Sequence, residues 1–156
     1  MKTLVFYDSV FGNTEKIAQS IADALDTSAI LVSQVDGGQL GGLDLLVIGS
    51  PTRGFRPTEG ISKMLNGLPK NQLAGMRVAA FDTRIVLATI DSRALRFLVD
   101  KGGYAASTIA KMLEKKGGRL AAPGEGFFVT GEQGPLKEGE LERAAVWASG
   151  LIKKEG

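Results

Sequence analysis

Hydrophobic residues along this chain fall into two kinds of pattern, short unbroken runs and longer stretches with three- or four-residue spacing. Leu4 to Tyr7 is an unbroken apolar run, and from Thr14 to Leu25 apolar residues recur at helical spacing. An unbroken run of β-forming residues is typical of a strand covered on both faces, whereas the helical spacing is typical of an amphipathic helix. The beginning of the chain therefore predicts a buried strand that leads through a short turn into a helix.

The same alternation continues to the end of the chain. Further strands are predicted over residues 29–32, 45–48, 78–81 and 119–129, the last interrupted at Pro123 and Gly124. Further helices are predicted to begin at Pro57, at Asp91 or Ser92, at about Tyr104 and at about Glu138. Five strands alternating with helices predict an α/β fold, a doubly wound parallel sheet of order 2-1-3-4-5 with helices on both faces. We expect one domain over residues 1–156.

The composition restricts the chemistry of this protein. The chain has 0 Cys and 0 His. It therefore lacks disulfides, a thiol nucleophile, a Ser-His triad and the preferred ligands of zinc. No catalytic or metal-binding residue is predicted, and any redox chemistry has to come from a bound organic cofactor.

The charge and hydropathy patterns restrict its location and its partners. No apolar stretch approaches the length of a membrane span, and Met1 to Thr3 lead directly into the first strand. We therefore expect a cytoplasmic protein without membrane attachment. Residues 51–119 carry 13 Lys and Arg against 5 Asp and Glu, but these cations form no dense run, so nucleic acid is not an expected partner.

The fold rule for open α/β sheets identifies the expected site. Ligands bind at the carboxyl ends of the strands near the switch point, which selects three loops, residues 9–14, 50–56 and 82–84. In the first loop, small hydroxyl and amide residues precede a helix whose first amides have no partner within the helix. This arrangement suits an anion such as phosphate. The alternative is a helix capped by Asn13 or Thr14 that binds nothing.

Other nucleotide-binding patterns are missing from these loops. No G-x-G-x-x-G follows the first strand, and no Gly-Lys-Ser/Thr closes the first loop. A phosphoacceptor domain would need Asp at the end of the third strand, where Gly49-Ser50-Pro51 stands instead. Dinucleotide binding of the Rossmann type, P-loop hydrolysis and phosphoacceptor chemistry are thereby excluded.

Three segments resemble the flavodoxin family. Ser9-Val10-Phe11-Gly12-Asn13-Thr14 is similar to its phosphate loop, with Phe11 where the family pattern has Thr. Gly49-Ser50-Pro51-Thr52 resembles the second loop of the family, and Gly102-Gly103-Tyr104-Ala105-Ala106 resembles the third-loop region of flavodoxin-like domains in larger flavoproteins. The likeness covers nearly the full chain and includes the order of the elements.

The resemblance implies FMN as the cofactor. Its 5′-phosphate would be held by side chains and amides of the first loop, at Ser9, Val10, Phe11, Gly12, Asn13 and Thr14. One side of the isoalloxazine would be lined by Pro51, Thr52, Arg53, Gly54 and Phe55. The other side would be lined by Asp82, Thr83, Arg84, Gly103 and Tyr104. Phe55 and Tyr104 would be the stacking residues, whereas Trp147 is predicted to belong to the core.

The resemblance also implies a function with alternatives. We interpret the chain as an electron carrier that shuttles electrons between redox protein partners. An FMN-dependent NAD(P)H:quinone or small-molecule reductase is the second interpretation, and a domain that has lost its flavin is the third. Arg53, Arg56 and Arg84 are predicted to surround the flavin edge, which favours an acidic redox partner. The sequence does not indicate an oligomeric state.

Overall fold

Six strands form one parallel sheet in a computed structural model that describes residues 1–85 and 104–153. The sheet follows the order β2-β1-β3-β4-β5, and β6 pairs with β4 beyond the end of β5. The strands are β1 (Thr3–Tyr7), β2 (Ala29–Leu31), β3 (Leu45–Pro51), β4 (Arg77–Ile85), β5 (Arg119–Leu120) and β6 (Glu125–Val129). The predicted order 2-1-3-4-5 is confirmed, because β5 and β6 together form the interrupted fifth strand.

Four α-helices cover the two faces of this sheet within the described residues. They are α1 (Asn13–Ala24), α2 (Glu59–Asn66), α3 (Ala105–Lys115) and α4 (Glu140–Leu151). Val5 and Val47 pack with α1 and α4 on one face, whereas Phe6 and Ile48 pack with α2 and α3 on the other. Both faces of the central strands are therefore covered, which explains why these strands are unbroken apolar runs.

Aromatic side chains pack together beneath α4, and a glycine on β3 leaves room for one of them. Trp147 packs edge-on against Phe81 and Phe127, with ring centroids 6.3 and 5.9 Å apart. Its predicted place in the core is confirmed. A Cβ atom on Gly49 would lie 2.0 Å from the Phe81 ring, so only glycine leaves room for that ring beside β3.

Several predicted boundaries were wrong. β4 continues to Ile85, so residues 82–84 lie within the strand and not in a loop after it. Helix α2 begins at Glu59 rather than at Pro57, because the hydroxyl of Thr58 accepts a hydrogen bond from the Ile61 amide and caps the helix. The helix predicted to begin at Asp91 or Ser92 lies outside the described residues.

None of the helices in the described ranges is long and apolar enough to cross a bilayer. The same ranges contain no group of three or more acidic side chains placed to hold a metal ion.

Candidate functional site

A pocket lies at the carboxyl ends of β1, β3, β4 and β6, where the fold rule places a ligand. The segments that line it follow β1, β3 and β6 and include the last residues of β4. Its lining residues are Val10, Phe11, Asn13, Thr14, Pro51, Thr52, Arg53, Thr83, Arg84, Ile85, Val129 and Glu132.

The first loop turns sharply into α1 at Gly12. This residue has a φ of 92°, a conformation that favours glycine, and no side chain in residues 1–85 or 104–153 caps the amides at the beginning of the helix. The loop is held from within, since the Gly12 amide donates to Ser9 Oγ at 3.0 Å and the Ser9 amide donates to Asp8 Oδ1 at 2.9 Å. The result is an uncapped helix N-terminus beside a hydroxyl side chain, which suits an anion.

Thr14 is buried beneath this loop. The hydroxyl oxygens of Thr14 and Thr83 lie 2.8 Å apart, and Thr14 is only 1% exposed. A hydroxyl can accept one hydrogen bond while it donates another. Thr83 can therefore donate to Thr14, which leaves the proton of Thr14 available for a further acceptor in the pocket.

Asn13 holds a fourth loop, formed by residues 130–135. Its Nδ2 donates to the carbonyl oxygen of Gln133 at 3.1 Å. Gly134, at a φ of 101°, packs so closely that a Cβ atom would lie 2.7 Å from the amide group of Asn13. The side chain of Asn13 is thus occupied by the protein itself, and its contribution to anion binding would come from the backbone amide.

The second loop is a tight hairpin turn. Arg53 and Arg56 exchange backbone hydrogen bonds of 2.7 and 3.0 Å, and Gly54 and Phe55 between them have φ values of 55° and 68°. Positive φ at both central residues is characteristic of a type I′ turn. Phe55 is strained there, because its Cβ disfavours the left-handed conformation.

An exposed rim borders the pocket, formed by Val10, Phe11, Arg53 and Arg56. Val10 and Phe11 are 49% and 43% exposed, although both are apolar. The Arg53 guanidinium lies 5.5 Å from the centre of the Phe11 ring. Both arginines are exposed, and no side chain in residues 1–85 or 104–153 forms an ion pair with either.

Asp82 is a fully buried carboxylate at the end of β4. Arg84 Nε donates to its Oδ1 at 2.7 Å and Arg84 Nη2 donates to its Oδ2 at 2.8 Å, while the Ala106 amide donates to Oδ2 at 2.9 Å. Burial raises the pKa of Asp82 above its ordinary value, and the hydrogen bonds and charge of Arg84 act in the opposite direction. Strand β4 is thereby fixed to the beginning of α3.

The side chain of Arg84 is closely surrounded by other residues. Its guanidinium carbon lies 3.5 Å from the centre of the Tyr104 ring. On β6, a Cβ atom at Gly126 would lie 2.0 Å from Arg84 Nε. Arg84 is therefore held between an aromatic ring and a glycine and neutralised by Asp82, so it adds less charge to the edge of the site than the sequence suggested.

The structure brings together most of the residues that the resemblance singled out. Nine of them line the pocket, whereas Ser9, Gly12, Gly54, Phe55, Asp82 and Tyr104 are not among its lining residues. Gly103 lies outside the described residues. Their contacts with a cofactor, including stacking by Phe55 and Tyr104, remain predictions.

Sequence reasoning missed three lining residues, Ile85, Val129 and Glu132. Ile85 was missed because β4 was predicted to end too early. Val129 and Glu132 belong to the end of β6 and the loop after it. The turn residues Gly131, Gly134 and Pro135 mark that loop, and the same fold rule would have selected it.

Comparison with known proteins gives a consistent result. A family model described as a flavodoxin domain matches residues 4–128. No curated protein sequence matches the chain significantly.

Three solved structures with the same fold illustrate the likeness. A flavodoxin from the domain Archaea is 18% identical with a TM-score of 0.75, over 97% of this chain and 96% of that one. Oxidised flavodoxin 1 from Bacillus cereus is 16% identical with a TM-score of 0.73, over 100% of both chains. A WrbA-like flavodoxin from Agrobacterium tumefaciens is 16% identical with a TM-score of 0.69, over 95% of this chain and 92% of that one.

Proposed function

We propose, from the premise that this chain belongs to the flavodoxin family, that it binds FMN and carries electrons between redox protein partners. The observation that carries the proposal is the beginning of α1. Within the part of the chain that the structure describes, its amides have no side-chain cap, and Gly12 turns the chain so that they lie at the edge of the pocket. A helix N-terminus of this kind binds phosphate.

The donor set around the pocket fits the phosphate of FMN. Ser9 and Thr14 contribute hydroxyl groups, and the amides of the loop contribute further donors to an oxygen-rich anion. Asp8, the carboxylate that precedes the first loop, is occupied within the protein, since it accepts from the Ser9 amide and from the Thr58 hydroxyl at 2.6 Å. The loop therefore presents donors to the pocket.

The remaining lining residues would hold a flat, partly apolar group. Pro51 and Ile85 contribute apolar surface, and Phe11 contributes an aromatic ring at the rim. When bound, FMN supplies reversible uptake of electrons, which no side chain of this chain can supply. The protein's own part is to position the group and to leave an edge of the pocket accessible to a partner.

We further propose that this partner is acidic around its contact surface. Arg53 and Arg56 are exposed and unpaired within the described residues, so they attract negative charge. The exposed side chains of Val10 and Phe11 line the pocket together with Arg53 and offer apolar contact area. A partner with carboxylates around an apolar centre complements this rim.

The decisive experiment compares ligands on the purified apoprotein. We expect FMN to bind at least tenfold more tightly than riboflavin, because only FMN carries the phosphate; fluorescence quenching measures both affinities. Equal affinities would contradict the phosphate site. Anaerobic NADPH is then added to the FMN-loaded protein. An electron carrier keeps its yellow colour, whereas rapid bleaching would favour the reductase.

A further inference from the structure

The ion pair between Asp82 and Arg84 has an unusual place relative to the pocket. Arg84 lines the pocket, whereas Asp82 lies behind it and is 0% exposed. A buried ion pair rarely stabilises a fold more than apolar residues of the same size would. Its presence at the wall of a binding site therefore calls for a functional explanation.

The surroundings hold the guanidinium in one place. The Tyr104 ring covers one side at 3.5 Å, and Gly126 leaves space on β6 that any side chain would fill. The carboxylate is fixed as well, by the Ala106 amide at the beginning of α3. Asp82 and Arg84 thus form a pair in which each member is held by further contacts.

The guanidinium is only partly used by this pair. Nε and Nη2 donate to Asp82, while Nη1 makes no hydrogen bond within the described part of the chain. Arg84 can therefore offer hydrogen-bond donors to a group in the pocket, while the carboxylate of Asp82 behind it cancels most of its positive charge.

From this geometry we infer that Asp82 is a positioning residue, which sets how strongly the positive charge of Arg84 stabilises the reduced form of the bound flavin. The inference rests on the proposed function. Reduction of FMN at neutral pH leaves a negative charge on the ring system, which an unpaired Arg84 would stabilise. With Asp82 in place the pair is neutral, and the reduced flavin gains little from it. Asp82 thereby keeps the flavin a stronger reductant without touching it.

The test measures how much more tightly each variant binds reduced FMN than oxidised FMN. Fluorescence titration gives the affinity for oxidised FMN. The difference in redox potential between free and bound FMN gives the ratio of the affinity for reduced FMN to the affinity for oxidised FMN. Asp82→Asn removes the negative charge at constant shape. We expect this ratio to rise about tenfold, which corresponds to about 30 mV in the two-electron potential.

The double variant Asp82→Asn/Arg84→Gln removes both charges and leaves the site neutral. We expect its ratio to lie within about twofold of that of the natural protein, because only the uncancelled charge matters. Asp44→Asn is the matched control. It removes one carboxylate at the opposite end of the sheet, and its ratio should not change.

Gly126→Ala provides a second route if Asp82→Asn does not fold. The nearest atoms to the new methyl group belong to the guanidinium of Arg84, at 2.0 to 2.4 Å, so the guanidinium has to move away from its position beside Asp82. We expect the ratio to rise although no charge has been removed. FMN binding with an unchanged ratio in Asp82→Asn, or in Gly126→Ala, would overturn the inference. Failure of the natural protein to bind FMN would instead overturn the proposed function.

Discussion

The hydroxyl oxygens of Thr14 and Thr83 lie 2.8 Å apart and join the beginning of α1 to β4 under the pocket. The carbonyl of Thr83 also accepts a hydrogen bond from the Thr52 amide at 2.9 Å, and Thr52 Oγ1 accepts one from the Ala105 amide at 3.1 Å. One chain of hydrogen bonds therefore connects the first loop, the second loop and the beginning of α3. The binding loops are positioned by one another as well as by the strands that precede them.

The first prediction concerns this threonine pair. Thr14→Val removes the hydroxyl expected to reach the phosphate, so we expect FMN affinity to fall about ten- to hundredfold, as for a lost hydrogen bond to a charged group. Thr83→Val removes the hydroxyl that supports Thr14, at a position that also lines the pocket, and should weaken FMN less. Fluorescence titration of both variants checks the order, and equal losses would contradict it.

The same pair predicts non-additive stability. Each single valine leaves a buried hydroxyl without its partner, which costs about 1–3 kcal/mol of unfolding free energy. In Thr14→Val/Thr83→Val no unpaired hydroxyl remains, so the double variant should be no less stable than the weaker single one. Urea unfolding of the apoproteins measures this coupling.

The second prediction concerns the exposed rim. If Arg53 and Arg56 attract anionic partners, the reduced protein should be oxidised by ferricyanide more slowly as salt rises, because exposed charges are screened over about 8–10 Å. With the cationic oxidant hexaammineruthenium(III), salt should have the opposite effect. Stopped-flow kinetics measures both rates.

Two variants assign this salt effect to the rim. Arg53→Gln and Arg56→Gln should each slow the ferricyanide reaction about two- to tenfold at low salt. Lys70→Gln removes an exposed cation after α2 and serves as the control. A ferricyanide rate that is indifferent to salt would remove the rim from partner recognition.

Much of the fold could be predicted from the sequence because its signals are local. The run from Leu4 to Tyr7 and the spacing from Thr14 to Leu25 each fix an element by their period alone. The element order then limits the topology to a doubly wound sheet, and the strand ends select the loops. The family of the chain was recognisable for the same reason, since its loop motifs follow those strands.

The partners of the side chains could not be predicted. The amide side chain of Asn13 could bind an anion, yet it donates a hydrogen bond to a loop 120 positions away in the sequence. The sequence suggested that Arg84 is an exposed cation, but Gly126 on β6 and Tyr104 at the start of α3 make room for it beside Asp82 and stack on it. Such contacts depend on tertiary neighbours, about which the local sequence carries no signal.

The third prediction concerns the pH dependence of stability. Glu140 is 5% exposed at the beginning of α4, where it accepts from the Phe128 amide and from Arg143 Nη2, each at 2.7 Å. Burial raises the pKa of Glu140, but the hydrogen bonds and charges of these partners outweigh it and lower the pKa below its ordinary value of 4.5. A lowered carboxyl pKa contributes stability above the unfolded pKa, and this stability is lost as the pH falls through the folded value.

We therefore expect Glu140→Gln to be less stable than the natural protein at pH 7, by about 1–3 kcal/mol. The difference should begin to shrink below the pKa of the unfolded state, about pH 4.3, and should disappear at the lower pH at which Glu140 of the folded protein is protonated as well. Urea unfolding between pH 7 and pH 3 measures it. Glu138→Gln, an exposed neighbour, is the control, and a difference that is constant with pH would contradict the ion-pair explanation.

The last prediction concerns the strain in Phe55. Its φ of 68° is unfavourable for a residue with a Cβ atom, and Asn tolerates that region better. If Phe55 is kept because its ring packs on the isoalloxazine, Phe55→Asn should leave the apoprotein as stable as before, or up to about 1 kcal/mol more stable, while FMN affinity falls about tenfold. Asp26→Asn is the matched control, since Asp26 also has a positive φ of 53° but lies in the turn after α1. It should change neither quantity. A loss of stability in Phe55→Asn with unchanged FMN affinity would mean that Phe55 serves packing and not the cofactor.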